Sequence, residues 1–226
     1  MVEDIATAAI RRSTRPLPKE SAITGPITPA SSELGRLLCA RRSIRAFTDE
    51  VIQPSVLERL LLDCAGGVGF LPVEKDVNAL ARTIPQSGGI FSVNTFVLLF
   101  RNIGNYKSGI YTLCPFTNSI HIIDEKLDKL EVAEIYGMNA ETGFGKAAGI
   151  IVLSANMEAK AFKYQERGYR YAMIEVGCGL QNALLSLQDQ NLAGYPFGGF
   201  KDEALAKLLH LNFPTDAPYI SIIFGT

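Results

Sequence analysis

Three uncharged apolar runs constrain this chain most: SVNTFVLLF at 92–100, AAGIIVLSA at 147–155 and YISIIF at 219–224. Each is too short for a core helix and too continuous for a half-solvated strand, so each predicts a largely buried strand. GIYTLC at 109–114 and SIHII at 119–123, joined by Pro115–Asn118, predict a hairpin. Helices are expected between these runs. One starts at Ser31 or Ser32 and carries Leu34, Leu37 and Leu38 into Arg41. Pro54 opens a second, whose stripe Leu57, Leu60, Leu61 and Cys64 ends at Gly66-Gly67. The longest covers about 169–190, with Met173, Val176, Leu180, Leu184 and Leu187 at three- and four-residue spacing. Gly177 and Gly179 inside it cost helix stability and predict close approach by another backbone or a ligand. Strands and helices alternate without a regular βαβ beat, which makes the fold class α+β.

Composition narrows the functional classes. With 226 residues, 47% of them apolar, the chain is long enough for one sizeable core. Twenty-two basic against 23 acidic residues leave a net charge of −1, so any polyanion site must be local. Cys39, Cys64, Cys114 and Cys178 form no CxxC pair, and His121 and His210 have no ligand spacing, so no metal is expected. GxSxG, Walker, HExxH and GxGxxG motifs are missing, which removes support for a hydrolase, a P-loop enzyme or a Rossmann dehydrogenase. Met-Val-Glu-Asp-Ile lacks signal-peptide order, and no uncharged run reaches the roughly 18–20 residues that span a bilayer, so a cytoplasmic protein is expected. Pro, Ser and Thr crowd residues 11–32, which predicts a flexible or extended segment over 1–32 ahead of a core at 33–226.

Three places carry candidate chemistry. Arg41-Arg42-Ser43-Ile44-Arg45 puts three permanently charged forks and a hydroxyl within five residues, a donor set suited to phosphate. The alternative is a solvated basic helix end that complements the helix dipole. Pro85-Gln86-Ser87-Gly88-Gly89 and Tyr195-Pro196-Phe197-Gly198-Gly199-Phe200 are either ordinary turns or loops that pass close to a flat ligand. Lys163-Tyr164, followed by Glu166, Arg167, Tyr169 and Arg170, offers a base beside a hydrogen-bond donor, or a plain surface dipeptide.

In order and spacing these pieces resemble the nitroreductase-like flavoproteins, and more narrowly the SagB-type (McbC-like) azoline dehydrogenases. RRSIRAF is similar to the entry motif, PQSGGIFSVNTFVLL to the loop and strand that follow, and GIYTLC to the hairpin. KYQERGYRYAMIEVGCGLQNALL and YPFGGF match the later motifs, so the resemblance covers about 34–225. It implies an FMN-binding α+β homodimer with a mostly antiparallel central sheet flanked by helices. The implied activity is oxidation of peptide thiazoline or oxazoline rings to thiazoles or oxazoles in natural-product biosynthesis. By carry-over, Arg41, Ser43 and Arg45, assisted by Arg42, hold the FMN phosphate and ribityl chain. Ser87, Gly88 and Gly89 line the cofactor from one side, and Phe197, Gly198 and Gly199 pass near its ring. Lys163 and Tyr164 match the catalytic pair, with either one as the base. The implied partners are an azoline-containing peptide or carrier-bound substrate and a cyclodehydratase or synthetase. This chain departs from the pattern at Gln86, where serine is usual, at Asn94, where glutamate is usual, and at Cys178, often histidine. Two other functions stay open: an NAD(P)H-dependent nitro or quinone reductase, and an inactive scaffold that docks a modifying enzyme.

Overall fold

The apolar runs come together in one antiparallel sheet. The computed structural model describes residues 31–74, 77–139 and 144–226. Most of the segment expected to be flexible, up to residue 30, lies outside them. In chain order the elements are α1 (Glu33–Ala40), α2 (Pro54–Ala65), β1 (Gly67–Glu74), β2 (Val77–Arg82), β3 (Val93–Leu99), β4 (Gly109–Cys114) and β5 (Ser119–Asp124). There follow α3 (Lys129–Ile135), β6 (Gly149–Asn156), α4 (Met157–Tyr164), α5 (Arg167–Asp189), β7 (Ala193–Phe197), α6 (Asp202–Leu208) and β8 (Asp216–Gly225). The chain divides into two compact units, Met1–Cys39 and Ala40–Thr226. In the first, the Ser32 hydroxyl accepts the Gly35 N–H at 3.1 Å and caps α1 as expected.

In the second unit six strands run in the order β5-β4-β3-β6-β8-β7, and every neighbouring pair is antiparallel. β3 and β6 lie in the middle because nearly all their residues are buried and apolar. Alternation sends their side chains into two cores. Val93, Val97 and Leu99 of β3 join Ile151 and Leu153 of β6 against α2 and α5. Phe96 and Leu98 join Ile150 and Val152 against α3, α6 and the buried Tyr136. Each fully buried leucine or isoleucine here contributes on the order of 1.5–3 kcal/mol.

Of the two glycines of α5 expected at a close approach, one meets it within the chain. A Cβ on Gly179 would meet Leu153 at 3.1 Å and the Cys64 carbonyl at 3.4 Å, so strand and helices crowd there. Gly177 faces open space instead. The long helix also starts two residues earlier than expected, after a corner at Gln165 with φ +51. β1 and β2 pair as a separate hairpin that the sequence pattern did not signal. Val68, Phe70, Leu71 and Val73 are all exposed, so β1 has no inward-outward alternation to read. Among the described residues no helix is long and apolar enough to cross a membrane.

Candidate active site

Lys163 and Tyr164 form the last turn of α4, a helix started by the Asn156 side chain, which accepts the Ala159 N–H at 3.0 Å. The expected glycine loop lies against them. Ser87–Gly89 is a single tight turn in which Gly88 and Gly89 have φ of +63 and +70, a region glycine enters without steric cost. A Cβ on Gly88 would overlap the Tyr164 hydroxyl and stand 2.8 Å from Lys163 Nζ. The positive φ favours glycine here, and any Cβ would make the Tyr164 hydroxyl and the Lys163 ammonium shift. The Tyr164 ring packs edge-on against Tyr171 at 4.8 Å between centroids, and Lys163 Nζ lies 5.6 Å from the Tyr164 centroid. These side chains, with Gln165, Glu166 and Arg167, line an open cavity of about 750 Å³.

The loop is held by two residues that sequence reasoning missed. Glu175 of α5 and Lys160 of α4 are both fully buried and pair at 2.7 Å. Glu175 Oε1 also accepts the Ser87 N–H and the Ser87 hydroxyl, each at 2.7 Å, and Oε2 accepts the Ser92 hydroxyl at 3.1 Å. Lys160 Nζ donates to the Ile90 carbonyl at 2.9 Å and to the Ser87 carbonyl at 3.4 Å. One signal pointed to Glu175: it shares the buried stripe of α5 with Ala172, Val176 and Gly179. A carboxylate on such a face needs a buried partner. Nearby, burial lowers the Arg82 guanidinium to about 10. That side chain donates to the carbonyls of Ala65 and Val93, each at 2.8 Å, and ties the end of α2 to the start of β3.

The arginine cluster follows α1 as extended chain along the outer edge of β7, where the Ile44 N–H donates to the Gly194 carbonyl at 3.1 Å. Arg45 lies 5.0 Å over the ring of Tyr195, and Phe47 stacks on the same ring at 6.2 Å. Burial pushes the Tyr195 phenol above its usual value, and the charge of Arg45 opposes this. Arg42, Ser43 and Arg45 are exposed and Arg41 is half-buried. Among the described residues neither Arg41 nor Arg45 pairs with a carboxylate.

β7 carries the chain from this cluster to Phe197 and on to the exposed Gly198 and Gly199, where a Cβ on Gly199 would touch the Phe197 ring at 3.2 Å. Register relates this loop to the other. Phe197 pairs with Ser221, Ser221 with Val152, and Val152 with Phe96. The Gly198-Gly199 loop and the Ser87–Ser92 segment thus leave the same end of the sheet, separated by three strand spacings or roughly 14 Å. The ties of Arg41–Arg45 run to β7, and those of Ser87–Gly89 run to α4 and α5. A flat phosphorylated ligand fits this set. Guanidiniums suit a dianion, and two exposed glycine loops carry no side chain that would block a flat ring. Among the described residues no group of His, Cys, Asp or Glu is arranged for a metal.

The Nitroreductase family model matches residues 38–226. The microcin B17-processing protein McbC of Escherichia coli is 28% identical over 153 residues, which cover 66% of this chain and 56% of that protein. This chain therefore spans little more than half the length of that relative. The E. coli microcin synthetase McbBCD complex with truncated pro-MccB17 bound aligns over 100% of this chain and 83% of the matched chain, with a TM-score of 0.73 and 21% identity. NADPH:FMN oxidoreductase from Vibrio harveyi, complexed with NAD+, aligns over 84% of this chain and 66% of its own, with a TM-score of 0.54 and 16% identity. The family match runs from the end of α1, through the arginine cluster and the glycine loops, to the last strand, and the protein belongs to the Nitroreductase family.

Proposed function

We propose that this protein is an FMN-dependent oxidoreductase that oxidises thiazoline or oxazoline rings of a peptide or carrier-bound substrate to thiazoles or oxazoles. Family membership makes it a nitroreductase-like oxidoreductase. What supports the finer activity is the meeting of Gly88 with both Lys163 and Tyr164, a base and a hydroxyl beside a loop suited to a flat ring. Bound FMN would supply the hydride acceptor. Arg41, Arg42, Ser43 and Arg45 would hold its phosphate and ribityl chain, because forked, permanently charged donors suit a dianion. Ser87, Gly88 and Gly89 would line one side of the ring, and Phe197, Gly198 and Gly199 the other.

Aromatising an azoline removes a proton from one ring carbon and a hydride from its neighbour, leaving a new ring double bond. The two electrons pass on to oxygen or another acceptor. The proton goes to Lys163 Nζ or Tyr164 Oη, two groups that line the cavity and also lie beside Gly88. Lys163 is exposed and Tyr164 half-buried, so the single chain lets water reach the lysine. Phe162, Tyr169 and Ile174 on the same two helices are exposed apolar groups, the kind of surface that a second copy covers, and a homodimer is part of the proposal. The names of the relatives extend it: McbC processes a microcin, and the McbBCD structure is a synthetase with its peptide bound. By that analogy a cyclodehydratase or synthetase partner is proposed here.

The test is to purify the full chain, record its absorbance spectrum and incubate it with an azoline peptide. The expected result is a flavin spectrum and a loss of roughly 2 Da per ring, the two hydrogens that leave on oxidation. Rapid flavin reduction by NADPH with no azole formed would turn the assignment to a nitro or quinone reductase. Protein that takes up no flavin would end the proposal.

A further inference from the structure

The buried Lys160–Glu175 pair has no direct role in the chemistry above, yet every polar atom of its two charged groups is hydrogen-bonded. All three ammonium donors of Lys160 have acceptors: Glu175, the Ile90 carbonyl and the Ser87 carbonyl. Both oxygens of Glu175 are used, one of them three times. Stability alone does not account for such a pair, because well-packed apolar residues of the same volume are often as stable. What apolar residues cannot do is grip the polar atoms of a turn. Here the carboxylate takes the N–H and hydroxyl of Ser87 while the ammonium takes the carbonyls of Ser87 and Ile90. The turn between those residues is thereby held from both ends.

The same two helices carry the proposed chemistry. Lys160 lies one helical turn before Lys163 and Tyr164 on α4, and Glu175 one turn after Tyr171 on α5. The helices cross directly at Lys160, where a Cβ on Gly168 would come within 2.8 Å of the Lys160 carbonyl carbon. The loop and the Lys-Tyr pair are thus referenced to one point in the structure.

We propose that Lys160 and Glu175 are positioning residues, which clamp the Ser87–Ile90 turn so that Gly88 sets the orientation of Lys163 and Tyr164. This rests on the azoline-oxidising function proposed above. The test compares the wild-type full chain with Lys160→Met/Glu175→Gln, which removes both charges and keeps the volumes. Amide exchange across residues 86–91 should rise about tenfold or more, while β3 and β6 exchange as in the wild type. With FMN bound, kcat on an azoline peptide should fall about tenfold or more while KM changes little, as expected when reacting groups are misplaced rather than binding lost. Acetylation of Lys163 by acetic anhydride, measured against Lys146, should also change once the turn that carries Gly88 no longer holds the ammonium in place.

Unchanged exchange in the loop overturns the clamp. Faster exchange with wild-type kcat and wild-type Lys163 labelling overturns the positioning. If the wild type makes no azole, the activity proposal fails on its own, and exchange with Lys163 labelling still decides this one. Should the double variant fail to fold, Ser87→Ala/Ser92→Ala removes two hydroxyl donors and leaves the ion pair in place. It should move the same readouts in the same direction by a smaller factor, and no movement counts against the clamp.

Discussion

The hydroxyl of Tyr164 fills the space that a Cβ on Gly88 would need. Gly88→Ala therefore meets two penalties: a left-handed backbone, which costs an alanine roughly 1 kcal/mol, and a forced shift of Tyr164 or the loop. We expect a folded protein with a slightly lower Tm and azole formation reduced about a hundredfold, the effect of displacing reacting groups by an ångström. A wild-type rate in this variant would show that the contact is incidental.

Cofactor retention should depend on the arginine cluster. Arg41→Ala/Arg45→Ala removes two guanidiniums without carboxylate partners among the described residues, and also the cation over Tyr195. The purified double variant should be largely apo, read as the ratio of flavin to protein absorbance. Full FMN occupancy would move the phosphate site elsewhere.

Lys163→Ala should separate binding from chemistry. The proposed phosphate donors lie on the segment along β7, so the variant should stay yellow and folded. Loss of a general base commonly costs about 10²–10⁴ in rate, and azole formation should fall by that order. Tyr164→Phe should be slowed less. Mass spectrometry of the product peptide measures both, and undiminished turnover in Lys163→Ala would remove the lysine from the mechanism.

Light scattering at micromolar concentration should give the mass of a dimer. The exposed Phe162 and Ile174, at 94% and 54% of their full accessibility, need cover, and Gly177 on the same helix leaves room for close approach. A strictly monomeric mass would contradict this.

Asp216 gives a pH-dependent prediction. Burial pushes its carboxyl above the ordinary 3.8, while the hydrogen bond from Ser154, at 2.9 Å, pulls the other way. The folded state thus binds this proton more tightly than the unfolded state. The resulting stability is present at low pH and is lost as pH rises through the folded value. Asp216→Asn stays neutral throughout and keeps the acceptor for Ser154. Its Tm relative to wild type should therefore increase as pH rises from below the ordinary carboxylate value to well above it. A constant difference would mean that the carboxyl titrates alike in both states.

Legibility followed burial. β3, β6 and β8 were readable because both of their faces are covered, which leaves continuous apolar runs in the sequence. β1 was not, since an exposed strand carrying Gly69 and Pro72 has neither a run nor an alternation. Among site residues, Gly88, Lys163 and Tyr164 were nameable from local motifs, and the structure adds that they touch. Lys160 and Glu175 were invisible as a pair. Their significance lies in a contact with a turn that comes more than 70 residues earlier, and no local pattern encodes that. In the single chain the buried lysine is Lys160, while Lys163 is exposed.

The central place of β6 also dictates the order in which the molecule can be made. Ile151 pairs with Val97 on one side and with Ile222 on the other. During synthesis the first partner has long left the ribosome, but the second emerges only some seventy residues after β6. Until then a largely apolar strand presents an open hydrogen-bonding edge, a template for pairing with other chains. Aggregation of truncated or stalled products and a need for chaperone cover during translation follow from the strand order. They do not follow from any weakness of the finished fold.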